Sequence, residues 1–359
     1  MNWREFRLSR RVQLAAELTE TIYSQIAEID AVKNTYSLTR RLLPQTVERL
    51  THSVIITSTG ASNRIEGNRL SDEEVEALYR KMRIKPFKTR DEQEVAGYIE
   101  MLKRVFEHYG DIPVSESQIL QLHQDMLAYS DKDQGHRGGY KIGPNRVEAK
   151  DPDGNVVGVI FDPTPPHLTE KEMRELIEWY AWAKGERFKH PLILVANFVF
   201  EYLAIHPFQD GNGRTSRLLT NLMLLQNGYS FAALVSHEKL IEETKAEYYL
   251  ALSRTQRAWK SGDEDMAAWL VYIFDIFLKQ ARAAALLLES DQIEYLLSEK
   301  QLALWKWAQG LASREFSRGD AVRALGFAPR TVEQVIRKLV DMKKVERVGR
   351  GRGTRYRVG

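Results

Sequence analysis

No cysteine occurs among the 359 residues, which excludes disulfides, a thiolate nucleophile and Cys-ligated zinc or iron–sulfur sites. There is no run of about 18 apolar residues of the kind that crosses a bilayer. The start, Met-Asn-Trp-Arg-Glu-Phe-Arg, has no apolar stretch behind its basic residues, so neither export nor a membrane span is expected. These absences together point to a reducing, cytoplasmic setting. No internal repeat or low-complexity tract is present. Excess charge is also small, +3 overall, but it hides an asymmetry: residues 313–359 hold 13 Lys or Arg against 5 Asp or Glu, so the rest of the chain is net acidic. A basic terminal segment suits a nucleic acid or an acidic protein surface as partner.

What is present is ordinary for a globular protein, 43% hydrophobic and 28% charged residues. The length exceeds the roughly 250 residues at which a single core usually stops growing, so two or three domains are expected. Apolar residues fall at helical spacing over residues 9–50, and again over 71–83, 91–109, 115–128, 169–184, 191–205, 215–227 and 263–297. The exception is residues 135–166. There an Asp-Gly turn at 153–154 separates Arg146-Val147-Glu148-Ala149 from Val156-Val157-Gly158-Val159-Ile160, which predicts a lone β-hairpin beside the helices. The fold class is mainly α.

The chemistry concentrates in residues 206–217, His-Pro-Phe-Gln-Asp-Gly-Asn-Gly-Arg-Thr-Ser-Arg, between a very apolar helix and an amphipathic one. Two glycines flanking an asparagine let the backbone bend sharply and turn amide N–H groups outward at a helix N-terminus, an anion cradle. His206 can be neutral near pH 7 and accept the proton of an attacking hydroxyl. Asp210 offers a hard oxygen for magnesium. Arg214 and Arg217, three residues apart on one helix face, can grip phosphates bidentately. So dense a set fits phosphoryl or nucleotidyl transfer far better than a solvated turn.

The segment resembles the Fic family motif, His-x-Phe-x-Asp/Glu-Gly-Asn-Gly-Arg-x-x-Arg, at every specified position. With its flanking helices the resemblance covers roughly residues 90–280. It implies transfer of AMP from ATP, with magnesium, onto a hydroxyl of a target protein. His206 would be the general base and Asp210 the metal ligand. Gly211, Asn212 and Gly213 would hold the α- and β-phosphates, and Arg214 and Arg217 the outer ones. Gly213 favours AMP transfer, because the related Doc branch, which phosphorylates, has lysine there.

Other pieces follow from the same resemblance. The hairpin stands where the family has a flap that holds the target's extended segment as an added strand, with Ile160, Phe161, Asp162 and Pro163 bordering the nucleotide. Tyr248 and Tyr249 resemble a pair placed near the adenine, although as adjacent helix positions they serve equally as core. Ser62-Asn63-Arg64-Ile65-Glu66-Gly67 resembles the family's inhibitory signature, Ser/Thr-x-x-x-Glu-Gly/Asn. Glu66 would pair with Arg217, taking the cation that a γ-phosphate needs, with Ser62 in support.

Residues 298–359 read as three helices followed by two short strands around Gly-Arg-Gly-Arg-Gly, the order of a winged helix. Its third helix carries Arg330, Gln334, Arg337 and Lys338, and its wing Arg350, Arg352 and Arg355. DNA is one partner for such a module and a protein surface is another. The expected organisation is an N-terminal helical region with the inhibitory helix (1–85), a Fic catalytic domain (86–285) and the winged helix (286–359). A homodimer stays open. An ATP-sensing DNA-binding regulator and a de-AMPylating enzyme using Glu66 are the alternative functions.

Overall fold

A computed structural model of the chain describes residues 6–38, 44–82, 87–150, 156–289, 297–349 and 354–358. The first helices are Arg7–Arg10 (α1), Ala16–Leu38 (α2), Pro44–Ile65 (α3), Asp72–Tyr79 (α4), Arg90–His108 (α5) and Glu116–Met126 (α6). The hairpin strands Val147–Lys150 (β1) and Val156–Phe161 (β2) follow, then Pro166–Gly185 (α7), Pro191–Ile205 (α8) and Asn212–Gln226 (α9). His237–Glu243 (α10), Lys245–Gln256 (α11) and Ala267–Glu289 (α12) complete the larger part. The C-terminal part holds Glu299–Gln309 (α13), Glu315–Phe316 (β3), Arg318–Leu325 (α14), Pro329–Asp341 (α15), Val345–Val348 (β4) and Arg355–Val358 (β5).

The single helical stretch expected over residues 9–50 is divided among α1, α2 and the start of α3. Residues 11–15 separate α1 from α2, while residues 39–43 lie outside the described residues. Elsewhere the boundaries are set by side-chain caps. Ser71, Thr89 and Ser298 each accept from an amide three residues on, and Glu74, Glu92 and Gln301 reach back to the cap amide. The hairpin pairs antiparallel, Val147 opposite Phe161 and Lys150 opposite Val156; its turn, residues 151–155, lies outside the described residues.

Helix α8 is the centre of the larger part. Every side chain from Leu192 to Ile205 is buried, as expected of a helix apolar on all sides. It packs against α7, α9 and α12, and α3 packs against α5, α9 and α10. Buried apolar residues from Leu8 through Ile56, Phe198 and Leu222 to Ala284 form one continuous cluster, so the N-terminal helices share a core with the rest.

The C-terminal part has its own core, built from Leu304, Trp305, Phe316, Val332, Val335, Ile336, Leu339, Val345 and Val358. Its three strands run in the order β3-β5-β4, antiparallel throughout. Helix α15 lies against α4. The Lys338 ammonium is buried there, 3.4 Å from Glu76 Oε1, and Arg80 bridges Glu76 and Asp341. Ser298 Oγ donates to Glu73 Oε1 at 2.6 Å in the same contact. Of the basic positions read on this helix, Arg330 and Arg337 are exposed while Lys338 is occupied by the docking. Arg350 and Arg352 lie outside the described residues; Arg355 faces Glu315 at 3.7 Å.

Candidate active site at the α8–α9 turn

Residues 206–211 reverse the chain between the central helix and α9. His206 ends α8 in the left-handed region, φ 53° and ψ 61°, its N–H donating to Tyr202 O. A non-glycine residue held there signals a locally imposed conformation. Gly211, φ 80°, makes the second reversal, and its side would meet His123 Nε2 at 3.2 Å if a Cβ were added. Between them Asn212 closes the turn: Phe208 N donates to Asn212 Oδ1 at 2.8 Å, and Asn212 Nδ2 returns to Phe208 O at 2.7 Å. The Asn212 side chain is therefore spent on the backbone, leaving only main-chain donors at this position to face a ligand.

Gly213 is helical, and its lack of a side chain serves a different purpose from that at Gly211. A Cβ there would stand 2.0 Å from Glu66 Oε1. The first amides of α9 have no acceptor within the helix, and they carry the positive end of its dipole.

His206 Nδ1 lies 3.2 Å from Leu203 O, which places the proton on Nδ1 and leaves Nε2 as the free acceptor. Burial, with Lys141 nearby and against the pull of the Leu203 carbonyl, brings its pKa down to about 4. It is a neutral base at pH 7. Asp210 Oδ1 accepts from Gly211 N at 2.6 Å and from Arg214 Nη2 at 3.3 Å, and Oδ2 accepts from Arg90 at 3.3 Å. Although burial opposes it, Arg214, that amide and Arg90 hold this carboxyl below the usual range.

Arg214 is buried between Asp210 and Glu94. Arg217, one turn on, meets the end of α3: Nε donates to Ser62 Oγ at 2.8 Å, Nη2 to Ser62 O at 2.9 Å and Nη2 to Glu66 Oε1 at 2.7 Å. Burial alone would lower the guanidinium's pKa, but the Glu66 carboxylate raises it. Glu66 keeps 35% side-chain exposure against 3% for Arg217, so the carboxylate is the solvent-facing member of the pair. Arg214 Nε and Arg217 Nη1 are buried donors with no hydrogen-bond partner among the described residues, and Arg214 Nη1 meets Glu94 Oε2 only at 3.5 Å. Unpaired buried donors are costly, and here they gather at one helix N-terminus.

The remaining predicted positions lie around this centre. Tyr248 is buried in an aromatic group with Tyr249, Trp269 and Tyr272. Burial lifts its hydroxyl to about 12 against the adjacent Arg217. Phe161 packs edge-on against Trp259 at 5.3 Å, and Asp162 pairs with Arg146 at the open end of the hairpin. Ile160 lies on β2 and Pro163 just beyond it.

Sequence reasoning missed a second set of residues. Lys141 Nζ donates to Ile205 O at 2.9 Å and its amide to Pro207 O at 2.9 Å; Asn145 Nδ2 donates to His206 O and Phe208 O at 2.9 and 2.6 Å. His123 stacks flat on Phe208, rings 3.6 Å apart at 1°. All three stand more than 60 positions before the turn, and a lone lysine, asparagine or histidine carries no pattern. Only the helical placement of His123 on the face with Ile119, Leu122 and Met126 hinted that it points inward.

Comparison with known proteins agrees with this geometry. Residues 113–224 match the Fic/DOC family. Protein adenylyltransferase fic-1 of Caenorhabditis briggsae is 29% identical over 195 residues, 52% of this chain and 34% of that protein. Protein adenylyltransferase Fic of Nematostella vectensis is 31% identical over 173 residues, 47% of this chain and 37% of that protein. The chain thus spans about a third of the length of these relatives. Among solved structures, a Fic family protein from Desulfovibrio desulfuricans G20 superposes with a TM-score of 0.61 at 22% identity, covering 97% of this chain and 98% of that one. A Fic domain containing signaling protein from Bacteroides thetaiotaomicron VPI-5482 gives 0.60 at 22% identity, over 76% and 99%; both likenesses speak to the fold. Built around the turn at residues 206–217 and matched over 113–224, this chain carries a domain of the Fic family.

Proposed function

We propose that the protein is an adenylyltransferase that moves AMP from ATP to a Ser, Thr or Tyr hydroxyl of a target protein, and that Glu66 restrains it. The observation that carries this reading is the set of unpartnered buried donors on Arg214 and Arg217 beside the open amides of α9, with a neutral imidazole at the other end of the turn. Such a site suits a polyphosphate and an incoming alcohol. The hydroxyl oxygen would attack the α-phosphorus, its proton would pass to His206 Nε2, and pyrophosphate would leave toward the arginines.

Magnesium fits the donor set in one way only. Among the described residues no group of three or more His, Asp or Glu gathers to hold an ion. Asp210 alone would supply a carboxylate, with substrate phosphates and water completing the shell, as this cation prefers. Magnesium would neutralise charge between the phosphates; the amides of residues 211–213 and the arginines orient them.

Restraint follows from the Arg217 contact. While Glu66 and Ser62 hold that guanidinium, a γ-phosphate meets a carboxylate instead of a free cation. The hairpin would receive the target's extended segment, with Tyr248 and Tyr249 toward the adenine side. We place the catalytic domain at 86–285, the inhibitory region before it, and a winged helix at 286–359. The winged helix would meet DNA or a protein through Arg330 and Arg337, since Lys338 is engaged with Glu76.

ATP labelled at the α-phosphate tests the reading. Glu66→Gly is expected to label itself or added protein at least tenfold more than wild type, and Glu66→Gly with His206→Ala not at all. γ-Labelled ATP should leave no mark. Equal labelling of wild type and Glu66→Gly overturns the restraint, and labelling that survives loss of His206 overturns the base.

A further inference from the structure

His123 lies on α6, entirely buried, 83 positions before the turn it touches. Its two ring nitrogens face groups of opposite character. Gly138 N is 3.0 Å from Nδ1, and an amide can only donate, so Nδ1 is the acceptor. Asp210 O is 2.9 Å from Nε2, and a carbonyl can only accept, so Nε2 carries the hydrogen. The surroundings admit one neutral tautomer. The same ring lies flat on Phe208, and its edge fits against Gly211, where a Cβ would stand 3.0 Å from Met126 Cε and 3.2 Å from His123 Nε2.

The carbonyl that His123 holds belongs to the peptide between Asp210 and Gly211. Rotating that peptide would swing the Asp210 carboxylate and redirect the amides that begin α9. On its other edge the ring anchors Gly138, three residues before Lys141, which itself ties Ile205 and Pro207. One side chain thus joins the loop before the hairpin to the turn that carries the base and the carboxylate.

We propose that His123 is a positioning residue for the transfer reaction: by donating Nε2–H to the Asp210 carbonyl it fixes the peptide plane that aims the carboxylate and the phosphate-facing amides. It touches no substrate atom. Its effect on rate rests on the adenylyltransferase reading, whereas its effect on the turn does not.

The two nitrogens make the proposal separable from simple packing. The side-chain amide nitrogen of glutamine reaches the place of Nε2, so His123→Gln keeps the donor without the ring. His123→Phe keeps a ring for Phe208 and lacks the donor. In a Glu66→Gly background, His123→Gln is expected to retain kcat within about threefold of its parent. His123→Phe should lose kcat at least tenfold, with a smaller change in KM for ATP. A packing role would give the opposite order, with the phenylalanine variant the better enzyme.

Hydrogen exchange of the peptide covering residues 208–213, measured on the full chain without nucleotide, gives a readout independent of activity. Exchange there should quicken in His123→Phe and not in His123→Gln. A phenylalanine variant with parental exchange and parental kcat, or a glutamine variant as impaired as the phenylalanine one, overturns the proposal. If Glu66→Gly itself labels nothing, the adenylyltransferase reading has failed, and the exchange result alone decides the role of His123.

Discussion

Two buried ion pairs fasten outlying segments to the same helical body, and they are built differently. At the N-terminal side Arg11 is enclosed beside α8: Nε donates to Asn197 Oδ1, Nη2 to Asn197 O, and Nη1 pairs with Glu201. Glu201 also accepts from Trp259 and pairs with Arg7. At the C-terminal side the module contributes one ammonium, Lys338, to Glu76 at 3.4 Å, beside the half-exposed Arg80, which bridges Glu76 and Asp341. A planar guanidinium satisfied on several edges holds geometry as well as charge, whereas an ammonium acts as a point charge. The first segment shares the main core and the second brings its own. The N-terminal helix is thus part of the body, and the C-terminal module is docked upon it.

The sharpest way to break this contrast is Glu201→Met. Removing one member of a fully buried pair strands Arg11, and the stability of the chain should fall by about 3–5 kcal/mol in chemical denaturation. A loss under 1 kcal/mol would place Arg11–Glu201 on the same footing as a surface pair.

Acid comes next. Although burial opposes it, His52, Lys338 and Arg80 lower the Glu76 carboxyl from 4.5 to about 2. A depressed carboxyl stabilises fully above its unfolded pKa and loses that contribution as pH falls toward the folded one. About 3 kcal/mol should therefore disappear between pH 4.5 and 2, by the factor of 1.36 kcal/mol per pKa unit. Glu76→Gln should flatten that limb of the stability profile; an unchanged limb removes Glu76 from the docking.

Asn212→Ala should cost about 1–3 kcal/mol, since it leaves the buried Phe208 amide without an acceptor. Melting of this variant beside Gly213→Ala separates a closed turn from a crowded one. Smallest are Arg330→Ala and Arg337→Ala, exposed on α15, each expected to change stability by less than about 0.5 kcal/mol. A larger loss would mean that the module's outer face also bears on docking.

How much of this was legible beforehand follows the range of each interaction. The turn was readable because twelve adjacent residues carry it, and the hairpin because Asp-Gly between β-branched runs is local chemistry. The Ser62 and Glu66 contacts with Arg217 span more than 150 positions, and resemblance alone joined them. Periodicity gave the helices but not the interruption at residues 11–15, because apolar spacing continues from α1 into α2. In the sequence Lys338 is one more basic position on the third helix. Its burial depends on α4, whose docking face has no signature in one dimension. The role of Asn212's side chain was likewise hidden, since composition cannot say whether an amide faces a ligand or its own loop.

A single missing carbon at position 213 ties two properties that would otherwise vary separately. The space beside that α-carbon, which a methyl would bring to within 2.0 Å of the α3 glutamate oxygen, is also where the helix begins to present its amides. An alanine would act as a wedge there, evicting the carboxylate and narrowing the cradle in one stroke. Substitution at this one position would therefore disturb the end of α3 and the start of α9 together.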